Sequence, residues 1–145
     1  MKKYVYFILI GAIVLLSGCG AKGPQFSTFK KPTKDMGIVY IYRPSNMQGA
    51  VLSHTIKDKE SDKLIGELKN GGYIYKEMKP GIKTIQHRSG SGVLAKNTIK
   101  ISKNKIVCLK NYFTMYNMYE GKFFLEKVND DICMHEIKDT KASFN

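Results

Sequence analysis

From Gly37 to Val128 the chain runs in short β-branched or aromatic stretches parted by Gly, Pro, Asn and Asp, with almost no helical period before the end. That rhythm predicts an all-β domain of the sandwich or barrel kind. Gly37–Arg43 is apolar on both faces, Ile38, Tyr40 and Tyr42 against Val39 and Ile41, and stops at Pro44, which predicts a central, well-covered strand. Ala50–Lys57 alternates, placing Leu52, His54 and Ile56 on one side, and turns through Asp58–Asp62 into Lys63–Leu68 as a hairpin. Strands follow at Tyr73-Ile74-Tyr75 and Ile82–His87, separated by Lys79-Pro80-Gly81, where proline presets the turn and glycine accepts a positive dihedral. Ser89–Gly92 reads as a flexible loop, Asn97–Ser102 as a strand with Ile99 and Ile101 inward, and Lys103–Lys105 as a hairpin tip leading into Ile106–Phe113. Lys122–Val128 is the last strand. Asn129 then caps a short helix opened by Asp130 and Asp131, with Cys133, Met134 and Ile137 on one face. The expectation is a mainly β fold, a small antiparallel β-sandwich of seven or eight strands with a short C-terminal helix packed on a sheet.

Ahead of this domain the pattern changes. Lys2 and Lys3 precede an apolar run from Tyr4 to Leu16 that ends in Leu16-Ser17-Gly18-Cys19. A basic start and an apolar stretch too short to span a bilayer comfortably form the pattern of an export signal. The last four residues resemble the lipobox of bacterial lipoproteins. That resemblance implies that residues 1–18 are a cleaved signal peptide and that the Cys19 thiol is acylated. Residues 19–33, with Gly23-Pro24, Lys31-Pro32 and no hydrophobic period, read as the lipidated cysteine and a flexible tether, and residues 34–145 as the globular domain. Two or three acyl chains anchor permanently, where one holds only marginally. By the same resemblance, Gly20 rather than aspartate after the cysteine implies an outer-membrane protein facing the periplasm in a two-membrane cell, and the outer face of the cell membrane in a one-membrane cell. A plain secretory signal or a short core helix is the alternative.

Charge narrows the partners. The chain carries a formal net charge of +12, of which Lys2 and Lys3 leave with the signal, so the mature part stands at +10. Outside the cytoplasm such a balance attracts anionic lipids or glycans or acidic proteins, and nucleic acid is not an expected partner. A solvated, lysine-rich surface is the plainer explanation, and the one that the spread of lysines favours. With Cys19 acylated, Cys108 and Cys133 form the only possible intramolecular disulfide; two buried free thiols are the blander alternative and the one the sequence leans towards.

Little in the chain has the spacing of a catalytic or metal site. His54, His87 and His135 are widely separated, so any metal site would have to be assembled by the fold, and none is expected. His54 reads as a satisfied, partly buried side chain, and His87 beside Arg88 would hold a proton poorly. Ser53 and His54 point to opposite faces of a strand and cannot pair. Ser89-Gly90-Ser91-Gly92 lacks the ending of a phosphate loop and any following helix. Asp58, Glu60 and Asp62 lack calcium-loop spacing and read as a solvated hairpin tip. Aromatic and methionine residues do concentrate, at Tyr112, Phe113, Tyr116, Tyr119, Phe123 and Phe124 around a loop with Met115 and Met118. Phe113 and one of Phe123 or Phe124 are expected in the core. Tyr116 and Tyr119 are expected at the surface as a partner contact. Arg43 must reach solvent or pair with a carboxylate, either marking the strand's end or offering a further contact.

Val39-Tyr40-Ile41-Tyr42-Arg43-Pro44, Gly66-Glu67-Leu68 followed by Gly72-Tyr73, and Pro80-Gly81 before an alternating strand resemble a family of short bacterial lipoproteins known only as a domain of unknown function. The same punctuation is similar to PEGA-type and transthyretin-like β-sandwiches. The resemblance implies a small envelope sandwich with no catalytic residues to carry over, although Ile82-Lys83-Thr84 departs from a pattern in which histidine often follows the glycine. The expected role is therefore a lipid-anchored, non-enzymatic binding or assembly module, with no cofactor, held to the membrane at Cys19 and contacting an envelope protein or anionic glycan or lipid. An envelope hydrolase, a hydrolase inhibitor, or the outer-membrane anchor of a trans-envelope secretion complex are the alternatives.

Overall fold

Strand β1 (Gly37–Arg43) has no polar face because it has no exposed one: all seven residues are buried. The computed structural model describes residues 20–50, 52–90, 92–117 and 120–143; the signal segment, Cys19, Tyr119 and Phe144 lie outside the described residues. The remaining strands are β2 (His54–Asp58), β3 (Leu64–Leu68), β4 (Gly72–Met78), β5 (Gly81–Ser89), β6 (Gly92–Ile101), β7 (Ile106–Met115), β8 (Gly121–Val128) and the two-residue β9 (Lys141–Ala142). Helix α1 (Asp130–Ile137) precedes β9.

They form two sheets, five strands in the order β8-β7-β1-β4-β9 and four in the order β3-β2-β5-β6. The four-stranded sheet is wholly antiparallel, whereas β1 lies parallel to β7, Tyr40 beside Cys108, and β4 parallel to β9. Val39, Ile41, Ile56, Ile85, Ile99, Ile101, Leu109 and Leu125 fill the space between the sheets. The edges β6 and β8 are tied where the Asn97 Nδ2 donates to the Leu125 carbonyl at 2.9 Å.

Period-two alternation sends Ile38, Tyr40 and Tyr42 to the other side of the five-stranded sheet, and two elements cover them. One is α1, whose Cys133 and Ile137 are buried while Met134, expected on the same face, is 51% exposed. The Asn129 Oδ1 accepts from the Ile132 amide at 2.9 Å, the cap read in the sequence. Cys108 and Cys133 are joined in a disulfide that pins α1 to β7, so the two buried free thiols are not what the structure holds.

The other covering element is the segment read as a tether. It lies along the domain: the Ala21 amide donates to the Asn70 carbonyl at 3.0 Å, Gly23 to Ala142 at 3.0 Å and Phe26 to Thr140 at 2.9 Å. The Phe26 ring is buried edge-on to Phe29, Tyr40 and Tyr73. Phe26 and Phe29, with these backbone hydrogen bonds, dock a stretch that has no period, and the aromatic partners they meet come from β1 and β4.

Four further expectations change. Lys103–Lys105 does not join a hairpin: β6 belongs to one sheet and β7 to the other, and the turn crosses between them. The strand expected from Ala50 begins only at His54, because the Leu52 carbonyl is taken by a side chain described below. Ser89 and Gly92 are the last pair of the β5–β6 ladder rather than a loop. Asp58 is buried and bonded by Ser61, so it does not share the solvated hairpin tip, where Glu60 and Asp62 stay exposed and Glu60 accepts from the Thr84 amide of β5.

Candidate functional site

The inner face of β1 reads Val39, Ile41, Arg43, so the alternation that builds the core also drives a guanidinium into it at the strand's end. Arg43 is 2% exposed and reaches neither solvent nor a carboxylate, the two outcomes expected of it. Its Nη1 donates to the Leu52 carbonyl at 2.7 Å and its Nη2 to the Gly49 carbonyl at 2.6 Å, and the group lies over the Phe123 ring at 5.5 Å. Gly49 holds φ +71°, a conformation that favours glycine, to aim that carbonyl inward. Arg43 thus staples the 44–53 connection to the sandwich and is not available as a surface contact. Burial lowers its pKa, yet a guanidinium stays cationic at neutral pH.

Beside it, β2 and β5 bring His54 and His87 edge to face at 4.5 Å, with the Phe123 ring 4.7 Å from each. The Asn111 Nδ2 spends one proton on the Phe124 carbonyl at 2.9 Å and directs the other at His87 Nδ1, also at 2.9 Å. His87 Nδ1 is therefore an acceptor, and its proton sits on Nε2. Burial first, then His54 and Arg43, push the His87 pKa down to about 3. Burial and Arg43 push His54 down as well. The sequence assigned the poor proton affinity of His87 to Arg88; burial is the main cause, and His54 and Arg43 add to it. Among the described residues, both His54 nitrogens, His87 Nε2 and Asn111 Oδ1 are buried without a hydrogen-bond partner.

Chemically this is a neutral, aromatic-walled imidazole pair next to a fixed positive charge. A metal dication is opposed by Arg43, and among the described residues no three His, Cys, Asp or Glu side chains group as metal ligands. Neither histidine has access to bulk solvent for proton exchange with a substrate, since both are buried. The cluster fixes the end of the sandwich and couples it to protonation.

The surface above the cluster is made of strand connections. The end of β1, the start of β4 opposite it, and the ends of β3 and β5 beside β2 converge here, and the parallel β7 delivers Met115 and Tyr116 to the same end. Tyr116 is 62% exposed, in keeping with its loop position, and Met47 is 95% exposed in the connection that Arg43 holds. A groove of about 870 Å³ opens beside these tips, lined by Ser45, Tyr112, Phe113, Glu126, His135 and Glu136 among others. In it the Tyr42 hydroxyl and the Lys110 ammonium both donate to Glu136 at 2.6 Å. Partial burial pushes the Glu136 carboxyl up, but those two hydrogen bonds and the lysine charge outweigh it and hold it below the usual carboxylate range.

Of the residues singled out in the sequence, Cys108 and Cys133 are brought together, Arg43 is sealed inside, Tyr116 stands at the surface, and Cys19 and Tyr119 fall outside the described residues. The His54–His87–Asn111 cluster was missed. The available signal was a histidine two residues from an isoleucine on an inward-facing register in two separate strands, Ile56 after His54 and Ile85 before His87. Among the described residues no helix is long and apolar enough to cross a membrane.

Comparison with curated proteins and with solved structures returns no match. A family profile described as a protein of unknown function, DUF2846, matches residues 33–125, from the turn before β1 to the middle of β8, and so takes in both sheets and the buried cluster. The chain belongs to the DUF2846 family.

Proposed function

We propose that this protein is a lipoprotein of the cell envelope, anchored through an acylated Cys19 and acting as a non-catalytic binding or assembly module. The observation that carries the reading is the seating of the chain from Gly20 onward: Gly20 forms a bridge with Asn70, and Phe26 is a core residue. A cleaved signal ending at Gly18 would release a domain whose ordered body begins one residue after the anchor. The Cys108–Cys133 disulfide supports an oxidising compartment. The inward packing of His54 and His87 favours a structural use of the groups a hydrolase would need at its surface.

Fractionation of cells carrying the wild type and Cys19→Ala tests the anchor. The expected outcome is a membrane-bound, processed wild type with an acyl mass on Cys19, and an unprocessed or soluble variant. Unchanged retention and mass in Cys19→Ala would overturn the reading. In-cell crosslinking of the same pair, read by mass spectrometry, tests the assembly role, which requires a reproducible protein partner that Cys19→Ala loses.

A further inference from the structure

We propose that the end of the sandwich above the Arg43 cluster is a membrane-docking end, whose connection tips enter the interfacial layer of a phospholipid bilayer while the opposite end faces water. Nine large apolar side chains are exposed among the described residues, and five of them, Met47, Leu52, Val93, Met115 and Tyr116, belong to this end. Leu64 and Ile82 are at the other end, and Ile132 and Met134 are on α1. Scattered exposed apolar residues need no explanation, but this group coincides with a second asymmetry. The five connections here, 44–53, 69–71, 90–91, 116–120 and the 138–140 link into β9, contain four charged residues, Lys69, Glu120, Lys138 and Asp139. The shorter connections at the opposite end, 33–36, 59–63, 79–80 and 102–105, contain nine, acids and lysines interleaved. One pole of the domain is thus richer in exposed apolar side chains and poorer in charge, and the other is densely charged.

The entry point of the chain assigns the occupant. Gly20 is bridged to Asn70, and the Asn70 side chain accepts from the Asn46 amide at 3.1 Å, beside Met47. An anchor on the residue before Gly20 leaves the body among these tips, so acyl chains in a bilayer bring this pole against it. Binding of this kind grows with the apolar area immersed, and a tyrosine, apolar in its ring and polar at its hydroxyl, suits the headgroup level. The inference rests on the anchoring reading for the position of the lipid, and the test reads the two separately.

The chain contains no tryptophan, so single probes are clean. Met47→Trp and Tyr116→Trp report the apolar pole, and Leu64→Trp and Ile82→Trp the opposite one; all four positions are exposed, and circular dichroism checks each fold. The full-length products, purified from membranes, are reconstituted into vesicles of equal parts phosphatidylcholine and phosphatidylglycerol, with and without brominated acyl chains. Emission from the Met47→Trp and Tyr116→Trp proteins is expected to fall roughly twofold or more with brominated lipid, and that from the Leu64→Trp and Ile82→Trp proteins to stay unchanged. Equal quenching at both poles, or none at either, overturns the docking proposal. So does a Met47→Trp emission that is blue-shifted without quenching and varies with the protein-to-lipid ratio, which would give this end to a second copy of the chain. The mass of the Cys19 peptide from the same preparation decides the anchor independently: an unacylated Cys19 defeats that reading, while quenching still decides the docking.

Discussion

A histidine in the unfolded chain takes a proton near its ordinary value of 6.5, whereas native His87, buried against His54 and Phe123 and near Arg43, does not until about pH 3. Between those values the unfolded state binds more protons, so the stability is complete above about pH 6.5 and falls with acid, by on the order of 1.4 kcal/mol per pH unit. His54, also lowered, acts in the same direction, and Glu136 adds a further loss below the ordinary carboxylate range, where its lowered carboxyl is finally protonated. His87→Gln keeps an acceptor for Asn111 and removes one titrating group. Urea unfolding at stepped pH is expected to show a shallower decline for this variant between about pH 6.5 and pH 4, and parallel curves would mean that native His87 is protonated there. None of this was visible residue by residue, because the shift comes from burial first and then from His54 and Arg43, which adjoin His87 only in the fold. Arg43 was singled out for the right reason, a charge on an apolar strand, but two backbone carbonyls of the following connection satisfy it in place of solvent or a carboxylate.

Helix α1 has eight residues, too few to persist alone in water, so its stability is borrowed from what it touches. The disulfide closes a span of 25 residues between β7 and α1, a constraint on the unfolded chain of about 3 kcal/mol. Cys108→Ala combined with Cys133→Ala is expected to lower unfolding free energy by about that amount and to raise amide exchange in α1 more than in β1. Wild type in reductant should match the variant, and an unchanged urea midpoint would show the bond to be dispensable. The helix itself was legible, since Asn129, Asp130 and Asp131 announce a start by local chemistry. So was β1, whose doubly apolar pattern allows only a covered position. The β6–β7 connection was not: Asn104 adopts the positive φ of a tight turn, as Lys103–Lys105 suggested, but turn chemistry does not say whether the arms pair. Here the arms part because Gly37 packs against the Ile101 side chain and the Ser102 carbonyl, where an added Cβ would lie 2.5 Å and 2.6 Å away, and β1 takes β7 as its own parallel neighbour.

At the scale of the molecule, the N-terminal segment and the poles of charge belong to one arrangement, a domain with no slack between its ordered body and the residue that follows Cys19. Inserting a flexible Gly/Ser segment of about ten residues between Cys19 and Gly20 would let the body stand tens of ångströms from its anchor. The expected outcome is retained membrane binding and an unchanged thermal midpoint, with weaker brominated-lipid quenching at Met47→Trp; full quenching would show that the tips dock without help from the short connection. The contact of the 20–26 segment with residues 140–142 reaches into synthesis. Strand β1 is the most buried in the protein, yet its partners β4 and β7 follow far downstream, Ile38 beside Ile106, and Phe26 waits for Thr140. A chain emerging from its N-terminus first therefore carries its stickiest stretch unpartnered until nearly all of it is out, the late closure expected of long-range pairings. A product truncated before α1 would leave Tyr42 without Glu136 and Cys108 without its disulfide partner, so the last elements made complete the cover of the first strand.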